Sequence, residues 1–149
     1  MRPLGPLKRF LSILCLVAAA LWLAPPARAA DLSAAEAKSV RAVIEAQLAA
    51  FSANDAARAF SYASPGLREA FGSADKFMNM VRTSYPVVYR HATVAFLKPQ
   101  RTDGVVVQGV HFTDGDGVLW LAVYKLERQR DRVWRISGCQ LIEAEGRAA

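Results

Sequence analysis

Apolar positions along the chain follow two different rhythms. Between residues 34 and 85 they recur every three or four residues, and between 92 and 142 they alternate or run together. The first rhythm is that of amphipathic helices and the second that of strands. A first helix is predicted from about Ala34 to Ala53, with Val40, Val43, Ile44, Gln47, Leu48 and Phe51 on one stripe. Ser33 followed by Glu36 forms a capping box, and Asp31 adds negative charge at the same end. Asn54-Asp55 ends this helix and caps a short second one, Ala56 to Tyr62, with Phe60 inward. Ser64-Pro65 opens a further turn or two through Leu67 to Phe71, stopped by Gly72. Ser73 or Asp75 caps the next helix, which carries Phe77, Met80 and Val81 and is stopped by Pro86. Val87 to His91 reads as a short strand or an extended lead-in.

Ala92 to Leu97, closed by Lys98-Pro99, is the first long strand. Val105 to Phe112 divides into two alternate sets, Val106, Gln108, Val110 and Phe112 against Val105, Val107, Gly109 and His111. Asp114-Gly115-Asp116-Gly117 is a tight-hairpin signal. Val118 to Leu126 then places Val118, Trp120, Ala122, Tyr124 and Leu126 on one face, and Leu119, Leu121, Val123 and Lys125 on the other. The charged run Glu127 to Arg132 is a solvated hairpin end that discourages edge pairing. In the last strand a bulge near Gly138 would let both Cys139 and Leu141 pack inward. The fold expected is α+β: a long N-terminal helix plus short helices on a curved antiparallel sheet of four strands, or five. One long helix and a few short ones cannot cover both sheet faces. A homodimer through the open face is therefore expected, with Trp120 and Tyr124 as its motivating residues.

The N-terminus changes how composition is read. Arg2, Lys8 and Arg9 precede an apolar segment from Phe10 to Ala24, and Ala27-Arg28-Ala29 supplies small residues for processing. This is the arrangement of a signal peptide over residues 1–29, cut at Ala29/Ala30, with a single domain over 30–149. The apolar segment, 15 residues, falls short of the roughly 20 that cross a bilayer, so no stable membrane span is expected after cleavage. Export to a bacterial periplasm is the expected location. Four of the 19 basic residues lie in the leader, leaving 15 against 13 acidic ones, so the net charge of +6 falls to +2. The basic balance is then no nucleic-acid footprint. Cys15 leaves with the leader, so Cys139 has no disulfide partner within the domain and reads as a buried inert thiol.

Candidate chemistry is sparse. His91 and His111 lack metal-ligand spacing, and neither a metal nor a cofactor is expected. His111 is the best single general-base candidate if its strand face lines a cavity; the plainer reading is a hydrogen-bonded histidine at the sheet rim. Asp55 is a second candidate base, although capping already explains its position. Asp114 and Asp116 read as turn residues, because the ligand series of a calcium loop is missing. Tyr62, Tyr85, Tyr89 and Arg90 gather large amphipathic side chains about a helix-to-strand junction, and with Trp120 and Tyr124 they are the candidate pocket or interface residues. A phosphate loop, a nucleophile elbow, a dinucleotide fingerprint and a continuous basic track are all absent, and no nucleic-acid partner is expected.

The order of elements resembles the nuclear-transport-factor-2-like, or cystatin-like, superfamily. More narrowly, the chain is similar to a family of small exported bacterial proteins of unknown function with that fold. The resemblance is carried by Gln47-Leu48-Ala49-Ala50-Phe51 with Asp55 and Ala59-Phe60, then Ala63-Ser64-Pro65, Phe71-Gly72, Phe77 and Met80-Val81. Tyr85-Pro86-Val87-Val88-Tyr89-Arg90 and Trp134-Arg135-Ile136-Ser137-Gly138-Cys139 complete it. It implies a cone-shaped domain with a pocket, and no activity that transfers. Catalytic members of the superfamily carry carboxylates or His-Asp pairs inside the cone, motifs that no residue here matches. The expectation is a non-catalytic ligand-pocket or protein-interaction module taking a small hydrophobic ligand. The alternative is a small hydrolase, isomerase or dehydratase using His111 or Asp55 on a hydrophobic metabolite.

Overall fold

The computed structural model describes residues 31–147. The leader expected over residues 1–29 lies outside them. Five helices come first: α1 (Ala34–Ser52), α2 (Ala56–Ser61), α3 (Pro65–Phe71), α4 (Ala74–Ser84) and α5 (Pro86–Tyr89). Five strands follow: β1 (Thr93–Phe96), β2 (Gln100–Thr102), β3 (Val105–Thr113), β4 (Val118–Arg128) and β5 (Trp134–Arg147). The architecture is α+β, with an N-terminal helix and short helices on an open antiparallel sheet of five strands.

The first four helices each start where a side chain can satisfy free N–H groups. The Ser33 hydroxyl accepts from the Glu36 N–H at 3.2 Å while the Glu36 carboxylate accepts from the Ser33 N–H at 3.1 Å, the full reciprocal box. Asp55 caps α2, Ser64 caps α3 and Ser73 caps α4. Gly72, at φ 74°, takes the left-handed turn that ends α3. Pro86 does not simply stop a helix. It opens α5, a single turn whose Val87 and Val88 are buried, in place of the expected strand or extended lead-in. The fixed φ of proline suits a first helical position as well as a break, and two inward valines decide between them.

The sheet runs β1-β3-β4-β5, with β2 also paired to β3. Val106, Gln108, Val110 and Phe112 of β3 are buried beneath the helices, together with Ala122, Tyr124 and Leu126 of β4. The complementary rows, including Val107, His111, Leu121 and Val123, lie on the helix-free face. This corrects the basis given to the dimer. Trp120 pairs with the buried Phe112 and Tyr124 with the buried Gln108, so both point toward the helices and away from the open face. Both sets of β4 are apolar, which is why sequence alone could not orient the strand.

β5 contains the bulge. Leu126 pairs with Ile136 and Lys125 with Gly138, so Ser137 is the extra residue. Beyond it Cys139 pairs with Tyr124 and Leu141 with Ala122, which turns both toward the core. The strand then runs on to Arg147. The segment between α2 and α3 clips onto this edge strand: Ile136 donates to the Tyr62 carbonyl at 2.9 Å, and Ser64 donates to the Ile136 carbonyl at 2.8 Å.

Candidate functional site

The bulge sets one wall of a cavity of about 210 Å³. Tyr124 of β4 and Ile136, Gly138 and Cys139 of β5 form the sheet side. Gln47 and Phe51 of α1 face them, with Leu67 and Phe71 of α3, Phe77, Met80 and Val81 of α4, and Tyr85 and Val88 closing the rest. Phe77 organises the aromatic wall. Its ring lies 6.1 Å from Phe51, 5.5 Å from Phe60 and 5.4 Å from Phe71, the last edge-on. Phe51, Phe71 and Phe77 line the cavity from three different helices, while Phe60 of α2 packs on Phe77 without lining it.

Four polar groups interrupt the apolar lining. The Gln47 amide is buried and its Nε2 donates to the Ala59 carbonyl at 3.1 Å, which fixes the side chain between α1 and α2. The Tyr85 hydroxyl donates to the Cys139 carbonyl at 3.0 Å. Tyr124 is buried, and among the described residues its hydroxyl has only the neighbouring Cys139 thiol, a weak partner, beside it. The Cys139 thiol completes the set. Burial pushes it up to about 12, which the neighbouring Tyr124 offsets only in part. Burial likewise raises the phenol of Tyr124 far above its ordinary value and that of Tyr85 above it. Every one of these groups is neutral near pH 7.

The candidate residues of the sequence separate into distinct places. Tyr85 and Tyr124 line the cavity. Tyr62 ends α2 and accepts from Arg58 Nε at 3.5 Å. Tyr89 donates to Asn54 Oδ1 at 3.2 Å, and the same oxygen accepts from the Arg82 guanidinium. The Arg82 and Arg90 guanidinium groups lie 5.5 and 5.2 Å from the Tyr89 ring centre; Arg82 above all holds that phenol below its usual range. Arg90 and Trp120 border a second depression with Pro86, Asp114 and Leu141. Asp114 is a turn residue in full: Oδ1 accepts from Asp116 N and Val118 N at 3.0 Å each, while Oδ2 accepts from Trp120 Nε1 at 3.1 Å.

The two candidate bases do not meet. Asp55 Oδ1 accepts from the Arg58 N–H at 3.0 Å, capping α2. His111 stands on the helix-free face, paired with Ala95 and Leu121 and on the opposite side from Val110 and Phe112. His91 packs on Phe112, with ring centres 5.0 Å apart, and burial lowers its pKa. Among the described residues no group of three or more His, Cys, Asp or Glu is placed to hold a metal, and no helix is long and apolar enough to cross a membrane.

Sequence reasoning did not foresee Leu67, Phe71 and Met80 as cavity residues. The one available signal was Gln47, an amide on the apolar stripe of α1. A polar group there must find partners inside the fold. The family model described as a domain of unknown function (DUF4864) matches residues 33–149, which takes in α1 through β5. No curated protein matches the chain.

Proposed function

The chain belongs to the DUF4864 family of domains of unknown function, and from that premise we propose that it is an exported, non-catalytic module that holds a small hydrophobic molecule in the cavity between α1, α3, α4 and β5. The observation that carries this reading is the lining itself. Phenyl, aliphatic and thioether surface dominates it, and its polar groups are an amide, two phenols and a thiol. Among the described lining residues there is no Asp, Glu, His, Lys or Arg. General acid–base catalysis works best with a group poised near the operating pH. The thiol and phenols here are held well above that range. Binding asks for none of this, and mostly apolar concave sites with a few convergent polar groups are its usual setting.

A long helix laid against an antiparallel sheet, with the cavity between them, supports assignment to the nuclear-transport-factor-2-like fold. The leader pattern over residues 1–29 supports export to a bacterial periplasm. The test is native mass spectrometry of protein isolated gently from its source cells. A reproducible added mass that is lost on denaturation is the expected result. Bare polypeptide mass in every preparation, with no uptake of added apolar compounds, would overturn the reading.

A homodimer remains part of the proposal, on residues other than those first considered. The helix-free face carries Val107, Leu121 and Val123, with Leu97 and Ile142 exposed beside them. Leu97 lies over Gly109, where an added Cβ would meet its Cδ1 at 2.8 Å, so the row continues without a gap. A second copy offering the same largely apolar row, with Lys125 at one end beside Val107, would cover it under two-fold symmetry.

A further inference from the structure

Gln47 is the polar member of the buried stripe of α1, 3% exposed and part of the cavity wall. Only one end of its amide is accounted for. Nε2 donates to the Ala59 carbonyl at 3.1 Å, and because a carbonyl accepts only from a donor, this bond identifies the nitrogen end. Among the described residues no N–H or O–H donates to the other end, Oε1. Nor is Oε1 walled in. The described side-chain atoms that lack a conventional hydrogen bond and are closed to any solvent-sized molecule are His91 Nδ1 and the Tyr124 hydroxyl oxygen. Oε1 therefore keeps an open surface, and on a residue so nearly shut off from the exterior that surface faces the cavity it lines.

The other polar groups of the wall serve one another. The Tyr85 hydroxyl donates to the Cys139 carbonyl, and the Tyr124 hydroxyl lies against the Cys139 thiol. Gln47 Oε1 is thus an acceptor held ready for a guest, and a buried acceptor gains most from a partner that can donate. Cavity size bounds that partner. An apolar cavity of about 150 Å³ accommodates benzene, and this one is about 210 Å³, which leaves room for one ring and a short substituent. No carboxylate stands in the described lining to neutralise an ammonium, and burying an unpaired charge is far costlier than burying a neutral polar group. We infer that the cavity selects an uncharged, mainly apolar molecule of about one ring's size bearing an O–H or N–H, which donates its hydrogen bond to Gln47 Oε1. This rests on the pocket reading above and adds the chemical class of the ligand.

The test compares phenol with toluene, which has nearly the same shape but carries a methyl in place of the hydroxyl. Both are titrated by calorimetry into the wild-type protein and into Gln47→Leu, which continues the apolar stripe. Gln47→Leu should weaken phenol about 5- to 10-fold and leave toluene unchanged or bound more tightly. Taking the ratio between ligands cancels their difference in hydration and any general change in the cavity. A second measurement needs no variant: in wild-type protein carrying carbon-13 at the glutamine side-chain carbonyls, phenol should move the Gln47 resonance downfield. Toluene should move it only by the ring-current effect the two compounds share. If the ratio is the same in both proteins, if phenol leaves the Gln47 carbonyl where toluene does, or if toluene binds the wild type and phenol does not, the assignment to Gln47 is wrong while the pocket reading stands. If neither compound binds the wild type, the pocket reading falls and this inference with it.

Discussion

The Tyr85 hydroxyl donates to the Cys139 carbonyl at 3.0 Å across 54 positions of sequence. It ties the junction of α4 and α5 to β5 just beyond its bulge, and so joins the helix and sheet walls of the cavity by a side-chain hydrogen bond. The cavity is therefore held in shape by a hydrogen bond as well as by ring packing.

Tyr85→Phe keeps the ring and removes this tie. The expected cost is about 1 kcal/mol, that of one partly buried hydrogen bond. It reads out as a lower urea midpoint with an unchanged slope. No loss of stability would mean that the hydroxyl is served equally well by solvent.

Asp55→Ala separates capping from chemistry. Loss of the bond to the Arg58 N–H should cost about 1 kcal/mol of stability, with the affinity for apolar ligands unchanged. A loss of ligand affinity at constant stability would instead place Asp55 at the binding site.

Alkaline pH should unfold the protein early. An exposed thiol titrates near 9.0, while the folded Cys139 holds its proton to about 12. The unfolded chain thus releases its proton first, so the stability this group supports is complete below about pH 9 and is lost as pH rises toward 12. The slope is roughly 1.4 kcal/mol per pH unit per group. Tyr124, also raised by burial, adds to the loss at the upper end. Denaturant melts between pH 8 and 11 should show the decline, and Cys139→Ala should flatten its lower part. A flat profile in the wild type would show that the thiol is wetter than its surroundings suggest.

Much of this fold was legible in the sequence, and the gaps have identifiable causes. The capping box at Ser33 and Glu36, the stripe of α1 and the bulge near Gly138 all follow from local rules, and local geometry obeyed them. Pro86 was ambiguous because one fixed φ serves both a helix break and a helix start. β2 was overlooked beside the longer Asp114 turn. Yet Asp103-Gly104, at φ 50° and 79°, makes a two-residue hairpin that pairs Thr102 with Val105. The orientation of β4 could not be read because Trp120 and Leu121 are equally apolar on opposite faces. The cavity was illegible for a different reason: Phe71, Met80 and Cys139 meet only through tertiary packing, and no spacing records that.

Leu121→Lys tests the dimer at its revised location. Sedimentation should show a dimer for the wild type and a folded monomer for the variant. A wild-type monomer at all accessible concentrations would remove the dimer from the account and leave the cavity untouched.

The most direct test of the central claim fills the cavity. Leu67 on α3 is half-buried in its wall, and Leu67→Trp would put an indole into the space. Calorimetry with phenol or toluene should give saturable binding to the wild type at about 1 mM or tighter. The variant should bind at least about 10-fold more weakly, which corresponds to 1.4 kcal/mol, while keeping the same circular dichroism. Equal affinity in the two proteins, or no saturable binding to the wild type, would contradict a ligand-holding cavity.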